Sequence, residues 1–153
     1  MAFRVKTVNL CKELRMKIEA KDFSGEGMSR VYENEKWTVG IKNWKPANDI
    51  SNIDGLELHN ETDELFILLS GTCVLVYANE SGDSLDIQTM KMEPFRVYTI
   101  PATVWHNTIT QKDTKLLLIM DVATGMNNSK VMTLSPEQTA QVKKLAHESF
   151  RFF

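Results

Sequence analysis

Three histidines occur in the 153 residues, His59, His106 and His147, and two of them stand where a metal could be held. Around His59 the chain reads "LELHNETDELFILLSG" over residues 56–71, with carboxylates on both sides and then a dense apolar run ending at glycine. His106 stands in "VYTIPATVWHNTI" over residues 97–109. One ion held by His59, His106 and a carboxylate would be a mixed nitrogen and oxygen site with open positions, suited to Fe, Mn, Ni or Zn. At such a site a substrate oxygen can be polarised. The competing reading is that both histidines only satisfy buried backbone or carboxylate groups. His147 falls in the polar part of the last segment and is assigned no chemistry.

In a strand, residues two apart share a face. Glu57 and His59 therefore point the same way, with Leu56 and Leu58 opposite. Glu64 follows His59 by an odd interval, so the chain must bend at Asn60, Glu61 and Thr62, residue types that suit a short turn. Beyond the bend Glu64, Phe66 and Leu68 share a face. A carboxylate heading an otherwise apolar face is costly to bury without a partner, so a cation or hydrogen-bond donor is implied beside Glu64. Phe66 and Thr108 each share a face with a proposed ligand, and with Tyr98 they are the candidates for binding substrate. Trp105 should face away from His106. Asp63 reads as a rim residue and Asp121 as the solvent end of a strand.

Short extended segments must carry these residues. "SRVYENEKWTVGIKNW" predicts a β-hairpin turning at residues 33–36, and "KPANDISN" a loop marked by Pro46, Asn48 and Asp49. Then "GLELH", "DELFILLS", "TCVLVYA", "LDIQTMKM", "RVYTI", "VWHNTIT" and "TKLLLIMDV" follow, separated by Gly, Pro, Asn and Asp. Strands so punctuated, with no helical crossovers, predict an all-β antiparallel sandwich or barrel. At the C-terminus Ser135 suits an N-cap and Pro136 the first helical position, and Val142, Leu145 and Ala146 form an apolar stripe. "FRVKTVNL" near the start alternates weakly, as a first edge strand would.

Composition excludes several classes. Net charge is -2, with 42% hydrophobic and 25% charged residues, which leaves no basic footprint for nucleic acid and no sign of disorder. Basic residues gather at Lys12, Arg15 and Lys17 and at Lys143 and Lys144 as solvated faces. No apolar stretch approaches the ~20 residues needed to span a bilayer, and the N-terminus lacks the apolar core of a secretory signal. Cys11 and Cys73 form no metal spacing, and Cys73 suits a small buried thiol. The expectation is one cytoplasmic domain over 1–153, with a barrel core at about 30–123 and a helix at about 135–149.

The two histidine stretches together resemble the paired motifs of the cupin superfamily. In the first motif two histidines one residue apart are followed by a glutamate and then a glycine. His59 matches the second histidine, Glu64 the glutamate and Gly71 the glycine. The second motif, proline, any residue, glycine, two residues and histidine, is met by Pro101 and His106. The resemblance covers about residues 50–121. Glu57 stands where the first histidine is usual, Thr103 where the glycine is, and Thr110 where a later asparagine is.

The resemblance implies a cupin-type double-stranded β-helix, or jelly-roll barrel, with a C-terminal α-helix. It also implies a divalent transition metal shared by His59, Glu64 and His106, with Glu57 able to replace the missing imidazole. Glu57 or Glu64 would be the general base if not a ligand. The expected function is metal-dependent chemistry on a small polar metabolite, sugar-like or a hydroxy or keto acid, of isomerase or lyase type, with oxygen-dependent chemistry open if the metal is iron. The alternative is a non-catalytic module that binds a small ligand. A homodimer is expected in either case, because a bare barrel of this size exposes apolar sheet surface that a twin covers.

Overall fold

The computed structural model describes residues 18–151. The weak alternation of "FRVKTVNL", Cys11 and the Lys12, Arg15 and Lys17 group lie outside the described residues. Ten strands occur among those described: β1 Met28–Glu33, β2 Trp37–Asn43, β3 Gly55–His59, β4 Glu64–Ser70, β5 Cys73–Ser81, β6 Ser84–Lys91, β7 Val97–Ile100, β8 Trp105–Thr110, β9 Lys115–Asp121 and β10 Ser129–Thr133. A single 3-10 turn, Pro46–Asn48, interrupts the loop after β2, and the helix α1, Pro136–Arg151, follows β10.

The strands form two five-stranded sheets, ordered β1-β2-β9-β4-β7 and β10-β3-β8-β5-β6. All ladders between named strands are antiparallel. After the first hairpin the chain passes from one sheet to the other at every step except the β5–β6 hairpin, which is the jelly-roll architecture that the strand punctuation and the motif resemblance led us to expect. The β1–β2 hairpin closes through Asn34, whose Oδ1 accepts the N–H groups of Lys36 and Trp37. Gly71, between β4 and β5, has φ +73, and a Cβ there would lie 2.4 Å from the Asp113 carbonyl oxygen. Only glycine fits that approach.

The second sheet is covered on both faces, and this explains its composition. Leu56 and Leu58 of β3, Val74, Val76 and Ala78 of β5, and Trp105 and Ile109 of β8 pack with Val142 and Ala146 of α1. The apolar stripe of the helix thus rests on the barrel exterior, and full burial of a side chain such as Val142 contributes roughly 1.5–3 kcal/mol. Ser135 caps the helix reciprocally: its Oγ accepts from the Gln138 N–H and its own N–H donates to Gln138 Oε1. On the opposite, inner faces, Phe66, Leu68, Cys73, Leu75, Leu116, Leu118 and Met120 make a second cluster between the sheets. Cys73 is a free, buried thiol. Burial pushes its pKa up to about 12, so it is inert there. Trp105 faces away from His106 as expected, and its Nε1–H reaches Glu80 Oε1 at 3.1 Å.

Candidate functional site

Because Leu56 and Leu58 face the helix, strand alternation turns Glu57 and His59 into the barrel. The same alternation on β8 sends Trp105 outward and His106 and Thr108 inward. The two strands meet where Glu57 and His106 are directly opposed in the β3–β8 register. From the other sheet Glu64, first residue of β4, enters the same space ahead of Phe66 and Leu68.

These groups converge on one atom. Glu64 Oε2 lies 3.2 Å from His59 Nε2 and 3.1 Å from His106 Nε2, and the two imidazole centroids are 5.3 Å apart at 63°. The far side of each ring is held. His59 Nδ1 meets Ser129 Oγ at 2.8 Å, and the His106 Nδ1–H donates to the Val104 carbonyl at 3.0 Å. That donation orients the His106 ring and presents Nε2 to the interior. Glu64 is 3% exposed. Burial pushes its pKa up, but hydrogen bonds from His106 and His59, and the attraction of both rings, outweigh it and bring the carboxyl down to about 2. The same contact with Glu64 raises the pKa of His59 against the opposing effect of its burial.

The donor set fits a transition-metal ion. Two atoms bound to one ion at ~2.1 Å stand roughly 3–3.4 Å apart in octahedral or tetrahedral geometry, and the two Nε2···Oε2 distances fall in that interval. Glu57, His59 and His106 each offer a ligand atom within 4.8 Å of the others. A cavity of about 270 Å³ opens over Glu57, His59 and Glu64, with Phe66, Leu118 and Met120 as its apolar wall. His106, 1% exposed, lies behind Glu64.

The expected substrate-binding residues part company here. Phe66 lines this cavity, and its ring is 6.2 Å from that of His106 in an edge-on arrangement. Thr108 shares the face of His106, yet it is not among the residues lining the cavity; its Oγ1 is buried without a hydrogen-bond partner among the described residues. Tyr98 lies on β7, at the edge of its sheet, and borders a different cavity of about 300 Å³ with Leu75 and Tyr77. Its hydroxyl accepts from the Glu93 N–H at 2.7 Å. Asp63 takes the Ala102 N–H at 2.9 Å and so ties the bend after β3 to the loop before β8, while Asp121 accepts from the Ala123 N–H.

Sequence reasoning missed Lys42, Asn48 and Ser129. Lys42, on β2, is 8% exposed and lines the cavity beside Glu57 and Glu64. Burial pushes its pKa down, against the pull of those two carboxylates. The sequence pattern gave no signal for it, because Trp37, Val39 and Ile41 make the opposite face of β2 the more apolar one. Asn48 donates to Asn107 Oδ1 and the Thr108 carbonyl, while Asn107 donates to the Gly55 carbonyl. Together they bridge β3 and β8 where the ladder between them is short. Thr103, in the position where the resembled motif has glycine, adopts φ +70 and gives its N–H to the His59 carbonyl at 2.7 Å.

No family model and no curated protein matches the sequence. Solved structures do match. A Bacillus halodurans protein is 18% identical with a TM-score of 0.54, over 92% of this chain and 91% of that one. Streptomyces PAC13 in complex with uridine is 12% identical with a TM-score of 0.51, over 75% of this chain and 85% of that one. CapF with the inhibitor 3-isopropenyl-tropolone is 16% identical with a TM-score of 0.53, over 74% of this chain but 33% of CapF. PAC13 and CapF are cupin-fold proteins. At these identities the likeness is one of architecture, and it agrees with the sheet order and with the spacing of the two motifs: the chain has the cupin fold.

Proposed function

We propose that the protein is a metal-dependent enzyme acting on a small polar metabolite, of isomerase or lyase type. The observation that carries this is the convergence of His59 Nε2 and His106 Nε2 on Glu64 Oε2 beside a cavity. His59, His106 and Glu64 would hold a divalent ion, Zn, Mn, Fe or Ni, with Glu57 as a fourth ligand. Bound there, the ion supplies Lewis-acid polarisation of a carbonyl or hydroxyl oxygen. Val104 and Ser129 orient the two rings, and Phe66 gives the substrate an apolar wall. Glu57, half-buried at the cavity, is the base for a proton next to the polarised carbon if it is released from the ion. Among proteins of this fold, PAC13 is described as a nucleoside dehydratase, which is lyase chemistry and supports that class here.

A second reading is favoured by one observation. Glu64 already satisfies both rings, so the constellation closes on itself as a structural network and the cavity could serve a non-catalytic binding module. The two readings differ in metal content. Elemental analysis of untagged, reconstituted protein should find close to one equivalent of a transition metal, lost in His59→Ala and in His106→Ala. Less than about a tenth of an equivalent in the parent protein sinks the metal reading and leaves the binding module.

We also place the protein in the cytoplasm as a homodimer. No helix among the described residues is long and apolar enough to cross a membrane, and a free buried thiol at Cys73 suits a reducing compartment. Tyr32 and Trp37, both exposed on the first hairpin with ring centroids 5.3 Å apart, are the apolar surface a twin would cover. Sedimentation equilibrium reads the mass, and a monomer at all concentrations rejects the dimer.

A further inference from the structure

Lys42 and Glu64 are the only buried residues of charged type, Lys, Arg, Asp or Glu, among those described. Glu64 has two partners. Lys42 has none: it makes no hydrogen bond or ion pair with any described residue, and Glu57 and Glu64 act on it only from beyond ion-pair distance. Its strand shows why it is there. On β2, Thr38, Gly40 and Lys42 share the inward face, opposite Met120, Leu118 and Leu116 of β9. A lysine on the outward face would have reached water; this one is carried into the barrel by register.

Its head has two cavities before it. Lys42 borders the site cavity and also an adjoining one of about 210 Å³, and Lys45 and Glu57 line both. The second cavity contains Asn48, 3% exposed, whose Oδ1 has no hydrogen-bond partner. The Lys42 amine opens onto these cavities with no acceptor among the described residues, so its donors are free for a ligand. Of the other basic groups at the cavity, Lys45 is exposed and Arg30 is already engaged with the Val122 and Thr124 carbonyls. Lys42 thus faces both the space lined by Glu57, His59 and Glu64 and the smaller cavity beside it.

We propose that Lys42 is the anchor for the carboxylate of the substrate, so that the site takes a small α-hydroxy or α-keto acid and not a neutral sugar. The carboxylate lies on Lys42, and the neighbouring hydroxyl or carbonyl is turned toward His59, Glu64 and His106. One ammonium matches one monoanion; a phosphate dianion would call for the several donors of an arginine cluster. This assignment rests on the small-molecule reading above, and it is tested independently of the metal.

The test follows the Lys42 amine in the full-length wild-type protein, using a water-soluble amine-modifying reagent and peptide mass spectrometry. Lactate at saturating concentration should slow modification of Lys42 at least five-fold, while its neutral isostere lactamide leaves the rate unchanged. Lys42→Met, which keeps the apolar stem, should lose at least ten-fold in lactate affinity by calorimetry while keeping the metal content of the parent. Equal protection by lactamide, no protection by lactate, or full lactate affinity in Lys42→Met overturns the proposal. Stronger protection by inorganic phosphate than by lactate overturns the carboxylate assignment. Metal content is read separately, so an absent metal rejects the proposed enzyme class without bearing on the Lys42 result.

Discussion

Glu64 Oε2 and His106 Nε2 lie 3.1 Å apart although 42 positions separate them in the chain, and both residues are almost wholly buried. Each comes from a different sheet, so this contact joins the two halves of the barrel at the candidate site. Glu64→Gln keeps the shape and removes the charge that both rings face. We expect the metal-free protein to lose about 2 kcal/mol, the scale of hydrogen bonds to a charged group. Metal affinity should fall by at least a hundred-fold. Urea denaturation with a chelator present reads the first, and competition with a metallochromic dye the second.

Glu57 differs from Glu64 in being half-buried and in having no hydrogen-bond partner through its carboxylate among the described residues. Glu57→Gln should therefore leave the metal-free stability within about 0.5 kcal/mol of the parent and lower metal affinity about ten-fold. Metal retained at full affinity, together with lost turnover, would move Glu57 from ligand to general base.

The stability of the metal-free protein should peak in mildly acidic solution. Glu64 has a folded pKa of about 2 against an ordinary 4.5, so its contribution is complete above the ordinary value and is lost as the pH falls through 4.5 toward 2. His59 is raised above its ordinary 6.5, so its contribution is complete below 6.5 and is lost as the pH rises through the raised value. Urea midpoints in chelator at pH 3, 5.5 and 9 should thus be highest at 5.5. With metal added the alkaline loss should vanish, because the ion takes the place of the proton on the ring.

Thr103 holds φ +70, a region that β-branched residues rarely adopt. The donation of its N–H to the His59 carbonyl keeps it there. Thr103→Gly should stabilise the protein by about 1 kcal/mol, strain relief exceeding the entropy that glycine adds to the unfolded chain. Denaturant midpoints check it, and a lower midpoint would show that the threonine side chain contributes more than its backbone costs.

Gly71→Ala should act the other way. The new methyl would stand 2.4 Å from the Asp113 carbonyl oxygen and 2.7 Å from the Thr114 nitrogen, both backbone atoms with little room to yield. A loss above roughly 2 kcal/mol is expected from the clash and the positive φ together, measured by the same denaturation.

Much of this barrel is written in local pattern. A period of two separates Glu57 and His59 from Leu56 and Leu58, and Glu64 and Phe66 from Leu65 and Ile67, so the relative facing of each pair is decided before any strand pairs with another. Gly, Pro and Asn between the apolar runs mark the ends of strands, and Ser135 with Gln138 marks the start of the helix. These features depend on neighbours a few residues away, and the chain carries them in its order.

What tertiary structure alone decides is which of two faces becomes the interior. On β2 both Ile41 and Lys42 are buried, and by pattern the isoleucine face is the natural inner one. The pairing of β2 with β9 turns Thr38, Gly40 and Lys42 inward instead, opposite Met120, Leu118 and Leu116. Tyr98 shows the same limit in reverse: it stands opposite Phe66 in register, yet as part of an edge strand it borders a separate cavity. The sequence by itself determined the strands, their faces and the two histidines worth watching. Only the closing of one sheet over the other, a matter of contacts between residues dozens of positions apart, brought His59, Glu64 and His106 to one point and set Lys42 beside them.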